Sequence, residues 1–202
     1  MSSKYDRTAA DWSATQYADS AAYLAHRAKL IAELGSPLAT GETVLDLACG
    51  DGGLAPHLER RGLRYLGVDS TPAMVEEARK NGVEAELGDL NAYAPDRPVE
   101  ATTCFRAIYY AVDRTAFFRH VAGYTTGKLV FDLNPRQYAL NTVREELREA
   151  GFTQVAIRPF FVPQRRALPG PLGKALVALE RAGPPARLAL RYRFTYVVAA
   201  SR

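Results

Sequence analysis

At 202 residues, with 48% hydrophobic and 24% charged side chains, the chain fits one globular domain with a full core, and no apolar run approaches the ~18 residues of a membrane span. The first residues lack the apolar stretch of a signal peptide, two cysteines make no disulfide framework, and three histidines without Cys/His spacing argue against a metal site, so a cytoplasmic protein is expected. The net charge of +4 is uneven: residues 151–202 hold nine Arg/Lys and one acid, a balance that suits an anionic substrate, nucleic acid, a lipid surface or simply a solvated face.

Residues 4–34 read as helical. Tyr5, Trp12, Tyr17 and Tyr23 precede a cleaner amphipathic stretch over 24–34, and Gly35-Ser36-Pro37 ends it. The functional reading of residues 1–40 is a lid over a ligand pocket; the plain one is aromatic packing of a helix on the domain. Val44, Leu45 and Leu47 then form a short buried strand with Asp46 near its end. A helix is predicted over 54–61 and a strand over 65–69, ending in Asp69. Ser70-Thr71-Pro72 is a cap signal with proline at the first helical position, and the helix over 73–81 stops at Gly82. A strand over 83–87 runs into Gly88-Asp89-Leu90.

After a proline-punctuated loop come a strand and its exit over 101–109, a helix over 113–124, and a strand over 128–133. The loop Asn134-Pro135-Arg136 leads to a helix over 138–150 that stops at Gly151. This alternation predicts an α/β fold, a doubly wound sheet covered on both faces, with residues 41–150 as its core. Strands over 152–161 and 192–200 lack a full crossover helix between them and so suggest antiparallel pairing. A Pro/Gly-rich basic insertion with a short helix over 172–181 separates them. With no repeat and no linker signature, residues 1–202 read as a single domain.

The chain is organised around Val44-Leu45-Asp46-Leu47-Ala48-Cys49-Gly50-Asp51-Gly52-Gly53, a strand, a tight turn and a helix start. Small turn residues let backbone N–H groups approach a ligand, and a helix N-terminus offers unpaired donors. Asp69 lies nineteen residues past Gly50, a spacing at which a carboxylate takes ribose hydroxyls. The site therefore reads as one for a nucleoside cofactor.

These residues resemble the class I S-adenosylmethionine (SAM)-dependent methyltransferases. The resemblance implies a Rossmann-like, seven-stranded, mostly parallel sheet with an antiparallel C-terminal strand. It implies SAM as cofactor and S-adenosyl-L-homocysteine as product. Asp46, Ala48, Cys49 and Gly50 match the first motif, with Ala48 where glycine is commoner. Asp69 matches the acid for ribose hydroxyls, and Ser70 and Met74 flank ribose and adenine. Asp89 matches the acceptor for the adenine amino group, and Leu90 the backbone N–H on the ring. Tyr17 and Arg27 are candidates for the cofactor carboxylate.

A loose dinucleotide fingerprint, Ala48-x-Gly50-x-x-Gly53, makes NAD the rival. Three acids favour SAM: Asp46 suits a cationic amine and sulfonium but would repel a pyrophosphate, and Asp69 and Asp89 end the next two strands.

At the fourth-strand exit, Phe105 and Arg106 border the cofactor, Arg106 also counts among the acceptor residues, and Tyr109 faces the acceptor or the lid. Tyr5, Trp12 and Asn134 complete the acceptor set. Asp132, alternating with apolar neighbours, is the candidate for orienting the acceptor or taking its proton. Methyl transfer depends chiefly on alignment, so no catalytic residue need stand out.

Small size and an aromatic lid favour a small-molecule acceptor at O, N or C. The Asn-Pro-Pro-Tyr type signature of nucleic-acid and protein amino methyltransferases is missing, since Asn134-Pro135 continues as Arg136-Gln137. The alternatives are an NAD(P)-dependent oxidoreductase, an RNA methyltransferase using Arg165, Arg166 and Lys174, or a SAM-binding module without catalysis. The insertion helix could serve a membrane surface, a homodimer contact or the core.

Overall fold

The strand–helix alternation folds into one sheet. Its strands are β1 (Thr43–Leu47), β2 (Arg64–Asp69), β3 (Ala85–Leu87), β4 (Val99–Cys104), β5 (Thr125–Leu133), β6 (Gln154–Phe160) and β7 (Thr195–Ser201). The computed structural model describes residues 9–190 and 195–202 and orders the sheet β3-β2-β1-β4-β5-β7-β6. β1, β2, β3, β4 and β5 pair in parallel, and β7 runs antiparallel to both β5 and β6. The antiparallel strand is thus internal, and β6 forms the edge. Val197 to Ala200 are all at most 1% exposed. A run buried on both faces needs neighbours on both sides.

The helices are α1 (Trp12–Gln16), entered from a 3-10 turn at Ala9–Asp11, α2 (Ser20–Glu33), α3 (Ala55–Glu59), α4 (Pro72–Lys80), α5 (Arg114–Tyr124), α6 (Leu140–Glu149), α7 (Gly170–Leu179) and α8 (Pro184–Ala189). Two apolar clusters lie on opposite faces of the sheet. Leu45, Leu47, Phe117, Phe118, Val143 and Leu147 belong to the one under α5 and α6. Val44, Leu24, Ile31, Leu58 and Val75 belong to the one under α2, α3 and α4. Strand alternation therefore puts Asp46 on the α2 face with Val44. On that face Lys128, fully buried in β5, donates from Nζ to the Leu34 carbonyl (2.9 Å) and the Ala32 carbonyl (3.3 Å). It thereby satisfies carbonyls at the C-terminal end of α2.

Several predicted elements are revised. The expected helix over 4–34 breaks at residues 17–19. Asp19 caps α2 by accepting from Ala22 N at 2.9 Å, and Ala18 N donates to the Gln164 carbonyl at 2.9 Å. A good cap plus a tertiary bond outweighs continuing the helix. β4 stops at Cys104, because Arg106 adopts a left-handed φ of 56° that no strand accommodates. The insertion holds a second helix, α8. Its Pro184 and Pro185, expected to be loop, start the helix at the positions where a missing N–H costs nothing.

The candidate active site at the glycine-rich turn

The turn after β1 needs left-handed backbone. Ala48, Gly50 and Gly52 have φ of 65°, 60° and 75°. Glycine takes these values without penalty and alanine does not. Cys49 N donates to the Val68 carbonyl at 3.0 Å, and its side chain rests where a Cβ on Gly67 would lie 2.8 Å from the sulfur. Asp69, at the end of β2, closes the turn: Oδ2 accepts from Gly50 N (3.0 Å) and Oδ1 from Thr71 N (2.9 Å). Each oxygen keeps further lone-pair capacity for hydroxyl donors.

Asp46 accepts from the Thr103 hydroxyl (2.5 Å) and the Tyr65 hydroxyl (2.8 Å). Burial pushes its carboxyl up to about 6, against the two hydrogen bonds that favour the ionised form. No cation lies within ion-pair distance of it among the described residues.

The N-terminal segment closes over this turn. Ser13, in the first turn of α1, donates its backbone N–H (2.7 Å) and hydroxyl (2.5 Å) to the Asp51 carboxylate, which also accepts from Gly53 N (3.2 Å). Asp51 thus satisfies an open N–H of a helix remote in sequence. The Trp12 ring lies against Gly50, where an added Cβ would come within 3.1 Å of it. Tyr17 stacks on Tyr23 with centroids 4.3 Å apart. Beneath them Arg27, 5% exposed, reaches the hydroxyls of Tyr17 (3.4 Å) and Tyr23 (3.3 Å) and lies 4.3 Å above the Phe105 ring.

Arg106 sits beside this group. Its guanidinium carbon is 5.8 Å from both the Trp12 and Tyr17 rings, and Nη2 donates to Gln16 Oε1 at 3.3 Å. Its backbone N–H donates to Asp132 Oδ1 at 2.7 Å, bridging the exits of β4 and β5. Burial pushes the Asp132 carboxyl above its ordinary value, while Arg27, that amide bond and the Arg106 guanidinium pull it back.

A methyltransferase-domain family matches residues 44–127, which span β1 to the start of β5. Over this stretch the chain is similar to class I S-adenosylmethionine-dependent methyltransferase domains. The trans-aconitate 2-methyltransferase of Mycobacterium ulcerans is 34% identical over 101 residues, covering 46% of this chain and 38% of that protein. The 23S rRNA (uracil(1939)-C(5))-methyltransferase RlmD of Shewanella frigidimarina is 31% identical over 64 residues, covering 32% and 14%. The match thus spans well under half the length of these relatives.

Among solved structures, the putative methyltransferase of Haloferax volcanii in complex with the Trm112 activator superposes with a TM-score of 0.68 at 20% identity. It covers 98% of this chain and 97% of that one. Phosphoethanolamine N-methyltransferase 2 of Haemonchus contortus, bound to SAM, gives 0.67 at 16% identity, covering 98% and 57%. These likenesses establish the fold.

The structure gathers Trp12, Tyr17, Arg27, Asp46, Ala48, Cys49, Gly50, Asp69, Phe105, Arg106 and Asp132 around one turn. Others are placed differently. Asp89 is exposed, and its Oδ1 accepts from Asn91 N and Nδ2, both at 2.9 Å, as a turn-forming acid does. Ser70 is exposed; Met74 and Leu90 are buried. Asn134 accepts from Arg136 N at 3.0 Å, a local turn bond. Tyr109, 54% exposed, leans on Tyr110 rather than joining the cluster. Tyr5 lies outside the described residues.

The sequence reading missed Gln16, Tyr65, Thr103 and the anchoring role of Asp51. An acid inside a glycine turn was the signal for Asp51; the others left none. In the basic C-terminal quarter, Leu176 and Leu179 of α7 pack on the main core, so the core reading of that helix holds for them. Glu180 accepts from Phe161 N (2.8 Å) and pairs with His26 (2.8 Å), fastening the insertion to α2. No helix among the described residues is long and apolar enough to cross a membrane.

Proposed function

We propose that this chain transfers a methyl group from SAM to an O, N or C nucleophile on a small-molecule acceptor. The observation that carries the reading is Asp46: a buried carboxylate with hydrogen-bond donors but no cation, beside a turn built for close backbone approach. Such a group calls for a cationic ligand. Asp69 faces the same turn with acceptor capacity to spare, as ribose hydroxyls require. SAM, when bound, supplies a methyl carbon already activated on a sulfonium.

The chain's residues do the rest by holding and orienting. Asp46 faces the amine, Arg27 and Tyr17 the carboxylate, and Asp69 the ribose. α1, latched by Ser13 to Asp51, covers the turn and excludes water. Positioning of this kind contributes roughly 7–11 kcal/mol to lowering a two-reactant barrier. Asp132, its proton affinity raised by burial, accepts a proton from an acceptor that must lose one. A small acceptor is supported by the aromatic cover over the turn, and by relatives whose names specify a small acid.

The reading is tested by calorimetry with S-adenosyl-L-homocysteine, with NADH as control. Binding of the former, strongly weakened by Asp69→Ala, is expected. NADH binding alone would replace the proposal with an oxidoreductase.

A further inference from the structure

Two arginines share the aromatic cluster beside the turn, since Tyr17 lies against both, and SAM carries only one carboxylate. Arg27 lies on the sheet face beneath Tyr17 and Tyr23. Arg106 lies between the exits of β4 and β5, tied to Asp132 through its backbone. Ligands of doubly wound sheets lie across the strand ends, and the β4/β5 side is the half away from the ribose acid Asp69.

Arg106 is held there under strain. A left-handed φ of 56° costs an L-residue roughly 1–2 kcal/mol. Its Nη1 is buried with no hydrogen-bond partner among the described residues. A guanidinium offers five N–H donors, and one left buried and unpaired is costly. Such strain and such an orphan persist at ligand sites.

Building on the proposed methyltransferase activity, we infer that Arg106 Nη1 binds a carboxylate of the acceptor, so that the substrate is a small organic acid. The geometry selects this anion. Trp12 and Tyr17 flank the guanidinium, and Nη2 is committed to Gln16. What remains is an in-plane donor edge, which matches a planar carboxylate. A phosphate needs donors disposed around three tetrahedral oxygens rather than along one planar edge. Arg106 is then a specificity-determining residue for the acceptor, and Arg27 the partner of the cofactor.

The test is calorimetry on the full chain loaded with S-adenosyl-L-homocysteine, with benzoate, itaconate and trans-aconitate as carboxylate probes and phosphoethanolamine as the phosphate probe. Wild type, Arg106→Gln and Arg106→Lys are compared. At least one carboxylate binds wild type, and Arg106→Gln weakens it roughly 10- to 100-fold. Arg106→Lys recovers part of the loss. S-adenosyl-L-homocysteine affinity stays within about twofold in both variants, which also verifies folding.

Equal losses for S-adenosyl-L-homocysteine and the acid would move Arg106 to the cofactor and overturn the inference. Binding of phosphoethanolamine alone, or of no carboxylate at millimolar concentration, would also overturn it. If wild type fails to bind S-adenosyl-L-homocysteine at all, the methyltransferase reading itself fails, a separate result.

Discussion

Asp46→Asn should make the ligand-free protein more stable while weakening its cofactor. In the fold Asp46 titrates at about 6, against about 3.9 in an unfolded chain. The native state therefore holds this proton more tightly. The extra stability is fully present below pH ~4 and is lost as pH rises through 6. The gap corresponds to about 3 kcal/mol, the cost at pH 7.5 of keeping a buried carboxylate ionised.

Asparagine removes that cost and keeps the shape. Its carbonyl still accepts from Thr103, and its amide donates to the Tyr65 hydroxyl in a reversed bond. Allowing ~1 kcal/mol for imperfect bonding, the net gain is about 2 kcal/mol. For a domain of this size that raises Tm by roughly 4–8 °C. Urea denaturation of both proteins from pH 4 to 7.5 checks it. Wild type loses stability across that window, and the variant loses less by about 3 kcal/mol. S-adenosyl-L-homocysteine binding weakens at the same time, since the amine loses its counter-charge. A variant that is less stable at pH 7.5, with an unchanged pH slope, would refute the electrostatic account.

Three other outcomes are expected. Ala48→Gly relieves a left-handed φ of 65°; after the extra backbone entropy of glycine, stability by urea titration rises by about 0.5–1 kcal/mol. Gly53→Ala places a Cβ in collision with the Ser13 hydroxyl and 2.9 Å from its Cβ. It should unlatch α1 from Asp51, seen as faster proteolysis before residue 20 and weaker S-adenosyl-L-homocysteine binding. Lys128 is pushed down to about 8 by burial, against about 10.4 unfolded. The unfolded chain then holds this proton more tightly, so stability rises between pH 8 and 10 by up to ~3 kcal/mol. In Lys128→Met that rise disappears from the pH dependence of urea unfolding.

Local chemistry carried much of the outcome. Alternating apolar runs and their breakers placed six of the seven strands within a few residues, because buried strands and capped helices are written in nearest-neighbour patterns. The seventh, β7, overlaps its predicted span from Thr195 onward. The left-handed turn at Ala48–Gly50 and the placing of Asp46 and Asp69 beside it were legible for the same reason: they follow from short spacing along the chain. Asp89 and Asn134 were legible as an acid and an amide at strand exits, yet Oδ1 of each accepts from its own local turn. A sequence position does not say whether an Asx side chain folds back on its own backbone.

What tertiary structure alone decided is which distant groups meet. β7 lies between β5 and β6 because its doubly buried run required two neighbours. Asp51 caps a helix thirty-eight residues away in sequence through Ser13. Thr103 and Tyr65 hold Asp46 only because β1 lies between β4 and β2. Arg106 has its surroundings set by Asp132 on one segment and by Gln16, Trp12 and Tyr17 on another, both remote in sequence. The sequence by itself determined the elements and the glycine-rich turn, since these rest on local periodicity and backbone freedom. Packing determined the charges and donors that face a ligand, since burial and hydrogen-bond partners exist only once remote segments are brought together.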